Sequence, residues 1–325
     1  MKVIVPAAGF GSRLRPHTYL TPKVLLPVAG KPILEHIIDQ AVEWGCDRFT
    51  IIHGHLRGQI EAFFERRFDL KVDFRVQEDQ LGLGHAVLNG IEPGDEELLI
   101  ILGDTIIQVD LKPVIERGVT SIGVKEVADP RKLGVVVLKD GRVTRLVEKP
   151  KQPPSNLAIV GVYYIRDAQM LRRAIEEIVA RGVTVKGEYQ ITDALQLLVE
   201  WGEPVATFPV EGWFDCGKPE TLLETNRYLL ERSGGAMEGA VTKEAVIIPP
   251  VVVGPGTVIE RAVVGPYVSL GRDGAVREAV VKNCIIGDRV IIERAMLEGS
   301  LVGSRCEVRG QMRSINIGAS SCIST

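Results

Sequence analysis

Apolar residues along the first 232 positions follow two alternating patterns. Continuous apolar runs at 2–7, 48–54 and 95–104 predict buried strands. Segments 31–45 and 58–68 instead carry apolar residues at helical spacing and predict amphipathic helices. In the first helix these positions are Ile33, Ile37, Ile38, Ala41 and Val42, and Gly45 is expected to end it. This alternation predicts an α/β fold of Rossmann-like type, with a mixed, mostly parallel sheet flanked by helices.

The pattern changes after a glycine-rich stretch at 231–240, where apolar residues begin to recur every six positions. One series is Val246, Val252, Val258, Val264, Leu270 and Val276; a second, after a slip at 277–283, is Cys284, Val290, Met296, Val302 and Val308. A three-sided parallel β-helix sustains this period, and each of these residues should then point into the prism. We expect a bulged corner at the slip. A β-sandwich of short strands is the alternative.

Composition narrows the function classes. The 325 residues carry a net charge of −3 and a pI of about 6.1, which argues against nucleic acid as the main partner. The cysteines form no C-x-x-C pair, so neither a zinc site nor a disulfide framework is predicted. No apolar run approaches the ~20 residues of a membrane span. We therefore expect a cytoplasmic protein with no membrane partner.

The segment GFGSRLRPHTYLTPK, residues 9–23, follows the first predicted strand. Its glycines allow successive backbone N–H groups to converge on an anion. A dinucleotide fingerprint would need glycine where Leu14 stands, and residues 30–32 (Gly-Lys-Pro) do not complete a Walker A loop. A glycine turn with a surface arginine is the alternative. Arg13 and Lys23, joined by a proline-stiffened segment, favour a loop that holds a triphosphate.

This loop resembles the G-x-G-[ST]-R-L-x-P-x-T-x-x-x-P-K signature of the sugar-phosphate nucleotidyltransferases and keeps every fixed residue of it. Further matching segments follow in order: VQEDQLGLGHAV (76–87), LGDT (102–105), LGVVVL (133–138), VEKP (147–150), VGVYYI (160–165), KGEYQITDAL (186–195) and GWFDCGKPETLLETN (212–226). The resemblance is greatest to glucose-1-phosphate thymidylyl- and uridylyltransferases with a C-terminal left-handed β-helix. It implies a catalytic domain at 1–235, a left-handed β-helix at 236–325, and the reaction of a nucleoside triphosphate with a sugar 1-phosphate to give a nucleotide sugar and pyrophosphate.

The resemblance also assigns roles to individual residues. Arg13, Lys23 and Lys149 are the expected catalytic residues, and Mg²⁺ would be shared by Asp104 and Asp215. The expected nucleotide-binding residues are Ala8, Gly9, Gly11, Ser12, Arg13, Gln77, Gly82 and Asp104. The expected sugar-phosphate-binding residues are Gly134, Glu148, Lys149, Gly161, Tyr163 and Trp213.

Taken without the resemblance, the same residues have ordinary structural interpretations. Asp104 and Asp215 could each cap a turn, Gln77 could be a surface residue, and residues 148–149 could be a solvated ion pair. Glu188 is expected to orient its loop rather than to touch substrate. The histidines, including His85, are expected to be incidental because they form no set of metal ligands.

The segment from Gln77 to Ala86 resembles that of pyrimidine-nucleotide users, and a glutamine amide can pair with uracil or thymine. One methyl group separates these bases and is worth only ~1–3 kcal/mol, so dTTP and UTP both stay open. Glucose 1-phosphate is the expected sugar substrate. The alternative functions are a mannose-1-phosphate guanylyltransferase and a non-catalytic regulatory subunit. A third alternative is an acyltransferase activity of the C-terminal β-helix, but this segment contains no histidine that could act as a general base. The β-helix is expected to join copies of the chain into a homo-oligomer.

Overall fold

The computed structural model describes residues 1–54, 56–67 and 70–310, without the side chains of residues 66 and 67. It consists of two compact units. The first comprises Met1–Leu26 and Lys31–Leu222, and the second comprises Pro27–Gly30 and the chain from Leu223 onward. In the described part of the chain, the helices are too short or too polar to cross a bilayer.

Strands and helices alternate through the first unit. In chain order, and including β2 of the second unit, the strands are β1 (Lys2–Pro6), β2 (Pro27–Val28), β3 (Lys31–Pro32), β4 (Arg48–His53), β5 (Lys71–Val76), β6 (Leu98–Ile101), β7 (Thr105–Gln108), β8 (Ser121–Glu126), β9 (Gly134–Lys139), β10 (Arg142–Glu148), β11 (Leu157–Ile165), β12 (Ala206–Pro209) and β13 (Gly212–Asp215). The helices are α1 (Ile33–Glu43), α2 (Arg57–Arg67), α3 (Leu83–Gly90), α4 (Lys112–Arg117), α5 (Ala168–Ala180), α6 (Ile191–Glu200) and α7 (Pro219–Ser233), of which α7 belongs to the second unit from Leu223 onward.

The main sheet has the order β10–β9–β11–β6–β1–β4–β5, and β8 pairs with β11 and with β12. Strands β6, β1, β4 and β5 run parallel, whereas β11 is antiparallel to β6, β8 and β9. The predicted mixed α/β fold is therefore confirmed. Because parallel strands end at the same edge, the loops after β1, β4 and β6 lie side by side. The N–H of Gly103, after β6, donates to the carbonyl of Pro6 at the end of β1 (3.1 Å).

Helix α1 buries its expected apolar stripe with one exception. In α1, Ile33, Ile37, Ile38 and Ala41 are buried, but Val42 is 44% exposed, so its predicted place on the buried face is wrong. One residue advances a helix by about 100°, which turns Val42 away from the stripe that ends at Ala41. The last residue of the predicted helix 58–68 lies outside the described residues.

The second unit is a stack of short parallel strands. They are β14 (Gly235–Ala236), β15 (Val241–Lys243), β16 (Val246–Ile247), β17 (Val251–Val253), β18 (Val258–Glu260), β19 (Val263–Val264), β20 (Val268–Leu270), β21 (Ala275–Arg277), β22 (Val280–Lys282), β23 (Ile285–Ile286), β24 (Ile291–Glu293), β25 (Met296–Glu298), β26 (Leu301–Val302) and β27 (Glu307–Arg309). The chain visits three sheets in turn: β14–β17–β20–β23–β26, β15–β18–β21–β24–β27, and β16–β19–β22–β25. This arrangement confirms the predicted β-helix.

Asn226 of α7 holds three segments of the second unit together. Its Oδ1 accepts hydrogen bonds from the N–H of Ala29 (2.9 Å) and from Oγ of Ser269 (2.7 Å). Its Nδ2 donates to the carbonyl of Tyr267 (3.2 Å). The segment Pro27–Gly30 is therefore fastened to the β-helix by a side chain that is fully buried.

The coils of the β-helix are shorter than three hexads. This difference changes which residues of the six-residue series point into the β-helix. Val246 pairs with Val263, so this coil advances 17 residues rather than 18. Alternate strand residues face opposite sides, so a strict period of six switches faces after one coil. Val264 is therefore fully buried, whereas Val246 is 57% exposed. Met296 is 82% exposed, and the prediction that every hexad residue points inward is wrong.

The predicted bulged corner at 277–283 is also wrong. Strand β22 crosses this segment and pairs in regular register with β19 and β25. The coil shortens by one residue just afterwards: Val264 and Leu270 pair with Val281 and Ile286.

Candidate active site

The glycine loop follows β1 and turns back on itself. Gly11 has a φ of +60°, and its carbonyl accepts a hydrogen bond from Oγ1 of Thr18 (2.9 Å). A Cβ atom placed on Gly11 would lie 3.0 Å from Cβ of Lys23. Glycine is thus needed both for the left-handed backbone and for the close return of Lys23. Gly9 has open space where a Cβ would stand, and Ser12 begins an exposed 3₁₀ turn.

Two aspartates come together although 111 positions separate them in sequence. Strands β7 and β13 pair antiparallel, with Asp215 opposite Thr105. The N–H of Cys216 donates to the backbone carbonyl of Asp104 (2.9 Å). This short ladder places Asp215, the last residue of β13, next to Asp104, which directly precedes β7 in the loop after β6.

Each of these carboxylates has a cation close to it. Nζ of Lys23 lies 2.5 Å from Oδ2 of Asp104, and the Lys23 side chain is buried. Nη2 of Arg13 and Oδ1 of Asp215 both approach Gly217, at 2.7 and 2.6 Å from the position of a Cβ atom there. The structure therefore gathers Arg13, Lys23, Asp104 and Asp215. Gly217, which leaves room for Arg13 beside Asp215, was not identified from the sequence.

The carboxylate pair fits a hard divalent cation that completes its shell elsewhere. Asp104 and Asp215 supply oxygen ligands, which Mg²⁺ prefers, and Mg²⁺ is commonly held by one or two carboxylates together with substrate phosphates. Among residues 1–54, 56–67 and 70–310 no group of three or more His, Cys, Asp or Glu side chains is arranged for a metal. The remaining ligands would have to be phosphate oxygens and water.

Gln77, which follows β5, is 5% exposed and is therefore not an ordinary surface residue. Its Nε2 donates to the carbonyl of Gly82 (3.1 Å), so these two predicted base-binding residues are in contact. Gly82 has a φ of +103°, and a Cβ there would lie 2.6 Å from the carbonyl oxygen of Tyr189. Gln80 donates through Nε2 to the carbonyl of Ala8 (2.6 Å) and joins this segment to the glycine loop. Gln80 was missed, although it stands within the motif that matched.

A second cluster surrounds Glu148 at the end of β10. Gly134 pairs with Glu148, and a Cβ on Gly134 would lie 2.9 Å from Oε2 of that carboxylate. Oγ1 of Thr192 donates to the same Oε2 (2.7 Å), and Nζ of Lys149 lies 3.1 Å from Oε1. The Glu148 side chain is only 9% exposed, so the interpretation of residues 148–149 as a solvated pair is wrong.

Burial and the negative charge of Glu148 raise the pKa of two further acidic groups, Asp193 and Tyr163. Burial, and then the Glu148 carboxylate, raise the pKa of Asp193 to about 6. Oδ2 of Asp193 is buried and has no hydrogen-bond partner among the described residues. Burial and Glu148 likewise raise the pKa of the Tyr163 hydroxyl, whose side chain is 3% exposed. Thr192 and Asp193 were not identified from the sequence, because the match of their segment, KGEYQITDAL, to the family assigns no role to these two positions.

Among the residues that the structure describes, no hydrogen bond joins the predicted sugar-binding residues Gly161 and Trp213 to this cluster. Gly161, with a φ of +85°, packs on Leu102, and a Cβ there would lie 2.6 Å from Cδ1 of that residue. Trp213 lies on β13 opposite Ile107, and its buried Nε1 has no hydrogen-bond partner within the described part of the chain. Oε2 of Glu188 accepts a hydrogen bond from Nε2 of Gln190 (2.9 Å).

Comparison with known proteins identifies the family. Residues 2–232 match the model of the nucleotidyl transferase family. The low-salt glycan biosynthesis nucleotidyltransferase Agl11 of Haloferax volcanii is 33% identical, over 95% of this chain and 94% of that protein. The glucose-1-phosphate thymidylyltransferase of Streptomyces griseus is also 33% identical, over 95% and 93% of the two chains. A crystal structure of UDP-glucose pyrophosphorylase complexed with UDP-glucose superposes with a TM-score of 0.63 at 27% identity, covering 71% of this chain and 98% of that one.

The matched region includes the glycine loop, both aspartates and the Glu148 cluster. The alignments with the two relatives extend through the β-helix as well. The chain therefore belongs to the nucleotidyl transferase family, and within it to the sugar-1-phosphate nucleotidyltransferases, which are enzymes.

Proposed function

We propose that this enzyme joins dTTP or UTP to glucose 1-phosphate and releases pyrophosphate. The observation that carries the proposal is the grouping of Arg13 and Lys23 with Asp104 and Asp215 at the carboxyl edge of the sheet. The choice of substrates is supported by the names of the relatives, a glucose-1-phosphate thymidylyltransferase and a UDP-glucose pyrophosphorylase.

The reaction needs positioning and charge neutralisation rather than a protein nucleophile. A phosphate oxygen of the sugar phosphate attacks the α-phosphorus of the nucleotide, and the bond from that phosphorus to the pyrophosphate oxygen breaks in line with it. Arg13, which is exposed, can hold the β- and γ-phosphates with its guanidinium fork. Lys23 offsets charge near the α-phosphate, and its burial makes that charge more effective than it would be in water.

Mg²⁺ fits the paired carboxylates and would be held by Asp104 and Asp215 in this proposal. When bound, it would neutralise negative charge on the phosphate oxygens. In the protein alone Lys23 bonds Oδ2 of Asp104, which keeps a cation against that carboxylate. The lysine thus orients Asp104 towards the same region in which the phosphates would stand.

The Glu148 cluster is the proposed sugar-phosphate site. Thr192 and Lys149 hold the two oxygens of Glu148, so the carboxylate is fixed before substrate arrives. An oriented carboxylate can accept hydrogen bonds from sugar hydroxyls. Lys149, with its side chain 31% exposed, can turn to the sugar phosphate. Gly134 and Gly161 are proposed to let the sugar approach the backbone, and Tyr163 and Trp213 are proposed as walls.

The base is proposed to bind against Gln77 and the backbone at Gly82, with Ala8, Gly9, Gly11 and Ser12 around the ribose and phosphates. Gln80 ties this base segment to the glycine loop through the carbonyl of Ala8. The two parts of the nucleotide would therefore meet one connected surface of the protein.

We also propose that residues 1–235 form the catalytic domain and 236–325 a left-handed β-helix that assembles a cytoplasmic homo-oligomer, without nucleic-acid or membrane partners. Light scattering on the full chain and on a variant lacking 240–325 tests the assembly. The variant should be smaller in subunit number and should keep some activity. An unchanged subunit number would contradict the proposal.

Product identification tests the proposed activity directly. The enzyme is incubated with each of dTTP, UTP, GTP, ATP and CTP against glucose, mannose and N-acetylglucosamine 1-phosphates, with Asp104→Asn as a control. Mass spectrometry should find dTDP-glucose or UDP-glucose as the main product. A main product of GDP-mannose would instead favour a guanylyltransferase, and the absence of any nucleotide sugar would favour a regulatory subunit.

A further inference from the structure

His85 contacts the amide of the proposed base-binding glutamine. It lies in the first turn of α3, after Gly82, and its Nδ1 is 3.3 Å from Nε2 of Gln77. The same Nε2 donates to the carbonyl of Gly82 (3.1 Å). Gln77 is almost completely buried, so these contacts determine how its amide is presented.

The chemistry of the partners sets the orientation of the amide. A carbonyl oxygen only accepts hydrogen bonds, so the nitrogen of Gln77, and not its oxygen, must face Gly82. The second hydrogen on that nitrogen then faces Nδ1 of His85. Nδ1 can accept it only if the imidazole is neutral and carries its hydrogen on Nε2. Both hydrogens of the amide are therefore used within the protein.

The oxygen of the Gln77 amide remains available to accept a hydrogen bond from a ligand. Oε1 of Gln77 makes no hydrogen bond with any residue that the structure describes. As an acceptor it suits a ring N–H, such as N3–H of uracil or thymine. Cytosine N3 and adenine N1 carry lone pairs instead and would repel it. Guanine N1 carries a hydrogen, so this contact does not separate guanine from the pyrimidines.

We propose that His85 is a positioning residue for base selection: by accepting a hydrogen bond from Gln77, it holds Oε1 towards the base and favours bases with a ring N–H. This inference rests on the proposed function, because Gln77 must contact the base. It replaces the expectation that His85 is incidental. Without His85, one of two hydrogen bonds that orient the amide is lost.

Steady-state kinetics at saturating glucose 1-phosphate tests this role. His85→Phe removes the acceptor and should raise KM for UTP and dTTP by about 3–10-fold, the effect of one hydrogen bond, with kcat little changed. The kcat/KM ratio of UTP to CTP should fall by a similar factor. His85→Asn places a carbonyl oxygen near the position of Nδ1 and should restore both values. Failure of Asn to restore them, or a fall in kcat alone, would overturn the proposal.

A double-mutant cycle identifies the route of the effect. Because His85 acts through Gln77, adding His85→Phe to Gln77→Leu should change KM no further. Gln80→Leu is the matched comparison, since Gln80 bonds Ala8 and not Gln77, and its effect should multiply with that of Gln77→Leu. Multiplicative effects of His85→Phe and Gln77→Leu would contradict the proposed contact.

The wild-type protein offers a test that no folding defect can obscure. Imidazole ¹⁵N NMR at neutral pH should assign His85 to the neutral form with hydrogen on Nε2. Observation of the Nδ1–H form would refute the inference even in a fully active enzyme. Failure of the proposed function is recognised separately, because the wild-type enzyme would then make no nucleotide sugar from UTP or dTTP.

Discussion

Replacing Asp193 with Asn should stabilise the protein at neutral pH. Oδ2 of Asp193 is buried, has no hydrogen-bond partner in the part of the chain that the structure describes, and is close enough to Glu148 to be affected by its charge. The negative charge of Asp193 is therefore unfavourable in the folded state. Its pKa is raised from 3.8 to about 6, with burial as the first cause and Glu148 as the second. The amide of Asn has a similar shape and carries no charge.

The size of the effect follows from the pKa. A rise from 3.8 to about 6 corresponds to about 3 kcal/mol at 1.36 kcal/mol per pKa unit. Solvent reaches part of the side chain and screens this charge, and a carboxylate in the first turn of α6 gains about 0.3–1 kcal/mol from the helix dipole. We therefore expect Asp193→Asn to increase the free energy of unfolding by about 1–2 kcal/mol at pH 7.5.

The sign of the pH dependence is specific. The folded protein binds the Asp193 proton more tightly than the unfolded chain does, so the wild-type protein loses stability as the pH rises from about 4 to about 6. Above that range the loss is complete, and below it the carboxyl is neutral in both states. The advantage of Asn should thus be present at pH 7.5 and disappear near pH 4.

Urea denaturation of both proteins at pH 4, 5, 6 and 7.5 measures this difference. Asp140→Asn is the control: Asp140 is an exposed turn residue with a φ of +52°, a conformation that Asn also tolerates, so this change should be nearly neutral at every pH. If Asp193→Asn gave the same difference at all pH values, or destabilised the protein at pH 7.5, the buried charge would not be the cause.

Four further substitutions probe the site and the β-helix. Asp104→Asn should lower kcat about 10²–10⁴-fold in a pyrophosphate-release assay, because it removes a carboxylate from the phosphate site; wild-type turnover would exclude that role. Thr192→Val removes the hydrogen bond to Oε2 of Glu148 and should raise KM for glucose 1-phosphate about 3–10-fold, with KM for the nucleotide as the internal control. Val264→Ala should reduce the free energy of unfolding by about 2 kcal/mol, and Val246→Ala by less than about 0.5 kcal/mol, since the first side chain is buried and the second exposed. Equal losses in calorimetry or denaturation would show that the two valines do not face opposite sides.

Features that depend on neighbouring residues were predictable from the sequence. The apolar runs that became β1, β4 and β6 are buried because a central parallel strand is covered on both faces. The glycine loop was recognised because Gly11 and Lys23 lie within one short, proline-stiffened segment. The six-residue period likewise revealed a β-helix, because each short side of the prism is a local repeat.

The length of each coil was not predictable from that period. A coil of 17 residues and one of 18 share nearly the same sequence pattern, yet the difference of one residue exchanges the inner and outer faces of a strand. Val246 therefore lies outside, although it belongs to the series that buries Val264. Met296 lies outside in the second series, which buries Cys284 and Val290. Only the pairing of successive coils decides the register.

By itself, the sequence determined the fold class, the repeat, and the loop that carries Arg13 and Lys23, because each depends on residues close together in the chain. The tertiary structure decided which distant groups meet: Asp104 beside Asp215 through the pairing of β7 with β13, and Thr192 against Glu148. Such contacts arise from strand pairing and helix packing across more than 40 positions, and the energy that orients a side chain there comes from neighbours that no local pattern specifies.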